Sequence, residues 1–191
     1  MYNFIIFVNL IDSLDDRTLP SRYIFLCQNS STPPLPHDQF FTVDQIHIAE
    51  SMVDIIRARS GQPKRALQIY QNAHDVYQEY LPDDHVHVGK LKVYEGDSYA
   101  ELLQFTKAIE RYEQAQVIFN KAYGSECNIN SAMVSVNIGR VLLRKCNYDP
   151  AKKSFTSALT IYQQILPYGH VKIQSTLNDL DRVKQEEALC V

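Results

Sequence analysis

The sequence predicts an all-α protein, an α-solenoid of three helix pairs closed by a C-terminal capping helix. Three observations carry this reading. A twelve-residue pattern recurs, as ALQIYQNAHDVY at 66–77, AIERYEQAQVIF from Ala108 and AKKSFTSALTIY from Ala151. The leading alanines Ala66, Ala108 and Ala151 stand 42 and then 43 residues apart. A second helix-like segment lies upstream of the later copies, and helix-breaking connectors separate the units. Self-similarity at such a period is the mark of stacked helix pairs, in which each unit completes its neighbour's core.

Within each copy, small-x3-aromatic-x2-small-x3-aromatic spacing puts four residues on one stripe of a helix. The alanines admit a neighbouring helix and the rings fill the space beside them. Thr42 and Gln45 form a capping box that opens the first helix, and the array is placed at 42–188. Its units run from about 43 to 85, 86 to 128 and 129 to 170. Turns inside the units are expected near Gln62-Pro63, Phe105-Thr106 and Asn147-Tyr148. Gly96 and Gly139 each lie twelve residues before the alanine of their unit. A glycine inside a helix costs about 1 kcal/mol relative to alanine, so two in matching phase imply a helix passing too close for a side chain. The connectors LPDDHVHV and LPYGHVKI align His85 with His170, and YGSECNIN puts Cys127 at the corresponding place. VKIQSTLNDLDRVKQEEA, at 171–188, restarts the first-helix pattern once more. It reads as a cap whose outer face is polar through Lys172, Asp179, Arg182, Lys184, Glu186 and Glu187.

Residues 1–41 are read as an irregular segment with one short apolar element, NFIIFVNLI. That run is about nine residues, against roughly 18 to 20 for a membrane span, and no basic residues open it as in a secretory signal. QNSSTPPLPHDQFF, with three prolines and a serine cluster, is a loop or linker. The chain has 191 residues, 45% apolar and 21% charged, with a net charge of −3. Those values suit a soluble globular protein and argue against nucleic-acid binding. The four cysteines, Cys27, Cys127, Cys146 and Cys190, form no CxxC pair. They read as reduced, half-buried small hydrophobes of a cytoplasmic protein.

These residues resemble the tetratricopeptide repeat family, in the 42-residue form found in kinesin light chains. The family's small positions are matched by Gly96, Ala108 and Ala115, by Gly139, Ala151 and Ala158, and in the first copy by Ala66 and Ala73. Its aromatic positions are matched by Tyr70, Tyr99, Tyr112 and Phe155. LPDDHV is similar to the light-chain GPDHP connector, and VNIG and TLNDL are similar to its LNNLA helix start. The departures are informative. No sustained heptads are present, so a complete light chain is not expected. The Lys/Asn/Arg cluster that clamps chaperone C-termini is replaced by Ser51, Ile55, Tyr94 and Met133, with only Asn137 kept.

Such an array implies a groove lined by the first helices. Removing the packing stripe leaves Ile48, Ser51, Met52 and Ile55, then Lys90, Val93, Tyr94, Asp97 and Glu101, then Met133, Val136, Asn137, Arg140 and Arg144, with Asn178 and Arg182 on the cap. The peptide-binding set is Tyr94, Asp97, Asn137, Arg140, Arg144, Asn178 and Arg182. An amide both donates and accepts, so Asn137 suits a peptide backbone, a use the resemblance also implies. The arginines would take a carboxylate with forked hydrogen bonds, or form a ladder pairing with Asp179 or Asp181. Met52 and Met133 read as core.

Asp83, Asp84, His85 and His87 cluster in a connector and read as structural, so no metal or cofactor is expected. Nor does any nucleophile elbow or glycine-rich phosphate loop occur, and the reading is non-catalytic. The expected partner is another protein, supplying a peptide or helix to the groove as to a kinesin-light-chain-like adaptor. The alternative is a structural subunit or homo-oligomer joined through the open edge of the first repeat, using Ile48, Met52, Ile55 and NFIIFV. A third reading, a diverged or partial copy of a larger motor adaptor, rests on Asp54 and Arg57 at packing positions of the first copy.

Overall fold

The computed structural model describes residues 61–189. They form six α-helices and no strand: α1 Pro63–Tyr80, α2 Val86–Glu101, α3 Phe105–Tyr123, α4 Ile129–Arg144, α5 Tyr148–Ile165 and α6 Val171–Leu189. Consecutive helices pack on each other, and the alternate helices α2, α4 and α6 also touch in sequence order. The described residues are therefore an α-solenoid. Thr42, Gln45, the first-helix residues Ile48, Ser51, Met52, Asp54, Ile55 and Arg57, the segment 1–41, Cys27 and Cys190 lie outside them.

The recurring stripe packs as its spacing demands. Ala66, Tyr70, Ala73 and Tyr77 are buried on α1, Ala108, Tyr112, Ala115 and Phe119 on α3, and Ala151, Phe155, Ala158 and Tyr162 on α5. Each ring seeks a gap in the helix before it. A Cβ placed on Gly96 would stand 2.5 Å from the Tyr112 ring, and one on Gly139 2.8 Å from the Phe155 ring. The close neighbour inferred from the glycines is thus the aromatic of the same unit's second helix.

Helix α4 shows why the pattern must repeat. Val134 and Val141 pack into a core with Val93, Ala108, Tyr112 and Phe119 on one side. Ala132, Val136 and Leu143 pack with Ala151, Phe155 and Tyr162 on the other. Val93 and Val136, expected in the groove, are accordingly buried core residues, because their faces turn toward α3 and α5. Met133 packs against the core.

Helix starts and turns refine the sequence register. The His85 imidazole Nδ1 accepts from the His87 amide at 3.3 Å, and His170 Nδ1 from the Lys172 amide at 3.1 Å. The corresponding cap in the middle connector is Asn128, whose side chain accepts from the Ser131 amide at 2.8 Å. Cys127 falls one residue short, because the spacing alternates between 42 and 43. The intra-unit turns come slightly before the predicted sites, since Phe105 and Tyr148 already begin helices. Their pivots, Leu103 and Cys146, sit at φ of 60° and 58°, and the matching first-copy residue is Gly61. Cys127 and Cys146 are exposed rather than half-buried, because both lie in connections between helices and not on a packing stripe.

Candidate peptide-binding face

Helices α2, α4 and α6 are the first helices of successive units, and the predicted site residues are distributed along them. Asp97 on α2 and Asn137 on α4 meet. The Asn137 Nδ2 donates to Asp97 Oδ1 at 3.3 Å, and the Tyr112 hydroxyl donates to the same oxygen at 2.6 Å. Burial, reinforced by the Asp97 carboxylate, raises the Tyr112 phenol well above its ordinary value, while Arg140 and Arg144 act in the opposite sense. Tyr112 therefore stays protonated and donates throughout the physiological range. It forms a buried floor beneath the carboxylate. The sequence marked Tyr112 as packing only; the hydroxyl it shares with Tyr70, where the third copy has Phe155, was the available signal.

Arg140 reaches the next first helix. Its Nε and one terminal nitrogen lie 2.9 and 2.7 Å from Asp179 Oδ2, and that terminal nitrogen also donates to Ser175 Oγ at 3.3 Å. Asp179 is buried while about half of the Arg140 side chain is exposed. The same guanidinium opposes the rise of the Tyr162 phenol, which burial pushes up to about 12. Asp179 thus faces inward as an ion-pair partner and is not part of the cap's polar outer face.

The remaining predicted residues are held locally. Arg144 donates to the Ala100 carbonyl at 3.0 Å and lies 5.0 Å above the Phe105 ring. It closes the C-terminal turn of α2, whose last carbonyls lack intrahelical donors. Arg182 pairs with Glu186 one turn on, at 3.1 Å. The Tyr94 ring lies 6.0 Å from that of Tyr70. Asn178 accepts from Gln174 on its own helix.

From the Asn128 and His170 caps, the α6 residue matching Asn137 is Asp179. Asn178 matches Val136, on the face turned toward a following second helix. That face of α6 carries exposed Gln174, Asn178, Asp181 and Gln185, where α4 carries Ala132, Val136, Gly139 and Leu143. At these four positions α6 is polar where α4 is apolar or small. In the connector, Asp84 pairs with Lys121 at 2.9 Å and His85 stacks on His87 with ring centroids 4.9 Å apart. Among the described residues no group of three or more His, Cys, Asp or Glu side chains is arranged to hold a metal ion. No described helix is long and apolar enough to cross a membrane.

The fold and its first-helix face define a helical repeat solenoid. Residues 88–164 match the model of the tetratricopeptide repeat family, a stretch running from α2 into α5. The crystal structure of BtubC (BKLC) from P. vanneervenii is similar, with a TM-score of 0.64 and 22% sequence identity. The match covers 82% of this chain and 63% of that one, so the chain spans less than two thirds of its length. No curated protein matches. Residues 88–164 thus match tetratricopeptide repeats, and the fold of the described residues is that of an all-α solenoid.

Proposed function

We propose that the protein is a non-catalytic, cytoplasmic interaction module that holds a peptide segment or partner helix along α2, α4 and α6, as a kinesin-light-chain-like adaptor would. The supporting observation is the Asp97–Asn137 contact between adjacent first helices, seated on the Tyr112 hydroxyl. It fixes the Asn137 amide at the middle of the face. Its Oδ1 makes no hydrogen bond among the described residues, and this oxygen would accept from a ligand backbone N–H. Arg140 keeps one terminal nitrogen beyond its contacts with Asp179 and Ser175, and would take a ligand carboxylate beside that amide. Tyr94 and Asp97 would border the ligand at one end. Arg144, Asn178 and Arg182 contribute less in this reading, because one closes a helix and two bond within α6.

The test is selection of peptides from a random display library on the full chain, followed by affinity measurements on variants. Asn137→Ala and Arg140→Glu should each weaken the selected peptides at least about tenfold, since loss of a hydrogen bond to a charged or backbone group costs roughly 1.5 kcal/mol. Helicity by circular dichroism should not change. Peptides bound equally well by both variants would move the working surface away from this face.

A further inference from the structure

The described residues contain three seams in which a second helix meets the first helix of the next unit: α1 with α2, α3 with α4, and α5 with α6. Three equivalent positions line each seam, and their chemistry changes along the chain. In the last seam they are Leu159, Leu177 and Leu180, all packed against the C-terminal core. In the middle seam they are Gln116, Ser135 and Ile138, with Gln116 Nε2 donating to Ser135 Oγ at 3.2 Å. In the first seam they are His74, Lys92 and Glu95.

That first seam is charged and incompletely satisfied. Glu95 is buried, with Lys92 at 3.3 Å and Arg111 of α3 at 3.2 Å. Among the described residues two buried side-chain nitrogens have no hydrogen-bond partner, His74 Nδ1 and Arg111 Nε. The Arg111 N–H is close to Glu95 but badly aimed at it. Both unsatisfied atoms therefore belong to one cluster, around one carboxylate.

We propose that the α1–α2 seam is an acid-sensitive joint. Protonation of His74 adds a third cation beside Lys92 and Arg111 around the single buried Glu95, and loosens α1 from α2 while α3 to α6 stay packed. Among the described residues, the charged groups that act on His74 are Lys92 and Glu95 from α2, Arg111 from α3 and Asp75 from its own helix. Burial first, then Lys92, holds the imidazole below its ordinary 6.5, with Arg111 adding to this and Glu95 and Asp75 opposing. A depressed histidine means the folded state prefers the neutral ring. Its stability is present above the unfolded value and is lost as pH falls below it. The Tyr70–Tyr94 ring contact spans the same seam, so loosening α1 also withdraws support from one end of the first-helix face. The joint does not depend on what that face binds.

The experiment is amide exchange of the full chain at pH 7.5, 6.5 and 5.5, corrected for intrinsic rates and resolved by helix. A window above pH 5 leaves ordinary carboxylates ionised. Protection of α1 should fall by up to about tenfold across it, the limit for one histidine, while α5 changes less than twofold. His74→Gln, which copies the Gln116 of the next seam, should abolish the step. His74→Leu, which copies Leu159, should do the same and serves if the first variant folds poorly. A step that persists in both variants would overturn the proposal. So would equal loss in α1 and α5, or no step at all.

Discussion

The first and last seams of this solenoid do the same mechanical job with opposite chemistry. At α5–α6 three leucines close the joint, and the Lys152–Glu187 ion pair ties the helices at the surface. At α1–α2 a histidine, a lysine and a glutamate occupy those places. Apolar burial stabilises by about 25 cal/mol per Å² and does not depend on pH. A buried ion pair must first recover its desolvation, and gains only if its geometry is good. With two nitrogens left unsatisfied, the first seam recovers less. The comparison teaches that units can share the alanine–aromatic stripe, which sets the fold, while the seams between them set where the array yields.

Removing one side of the strong seam should have the largest effect. Deleting residues 170–191 uncovers Leu159 and Tyr162 on α5, and three units are about the minimum for a stable array. The truncated chain should aggregate, as seen by size exclusion with light scattering. A monodisperse truncation with an unchanged melting temperature would remove the cap from the account. Next in size is conversion of the first seam into the last. The variant His74→Leu, Lys92→Leu, Glu95→Leu, with Arg111→Met so that no guanidinium is left without its carboxylate, should gain about 1–3 kcal/mol in urea unfolding, since apolar replacement of a whole buried ion network is often stabilising. It should also lose its stability step between pH 7.5 and 5.5.

The shared plan is tested at the glycines. Alanine in a helix normally gains about 1 kcal/mol over glycine, yet Gly139→Ala should lose roughly 1–2 kcal/mol by overpacking against the Phe155 ring. The smallest effect is at the turns. Only the first copy has glycine at the left-handed pivot, so Leu103→Gly or Cys146→Gly should each gain about 0.5–1 kcal/mol, read from the thermal midpoint.

Much of this plan was legible in the sequence because it is written in small and aromatic residues at helical spacing. Ala108, Tyr112, Gly139 and Phe155 have few ways to satisfy volume and burial, so their pattern translates directly into contacts. The connectors were less legible. Their spacing alternates between 42 and 43 residues, and a one-residue slip put Cys127 where Asn128 caps and Asn178 where Asp179 belongs. Asp97, Asn137 and Arg140 could be placed on the first helices, but not their partners. Long polar side chains choose among several neighbours only after the helices dock, as Arg144 does with Ala100 and Phe105. The His74 cluster was invisible for the same reason: its members lie on three helices, and only alignment of the seams brings them together.

The central claim is that one packing plan carries seams of graded strength. Native-state amide exchange of the full chain at pH 7.5 tests it most directly, since each helix reports its own opening. The account predicts that α1 opens at lower free energy than α3, and α3 at lower free energy than α5. Equal protection in all three helices, or the greatest protection in α1, would contradict it.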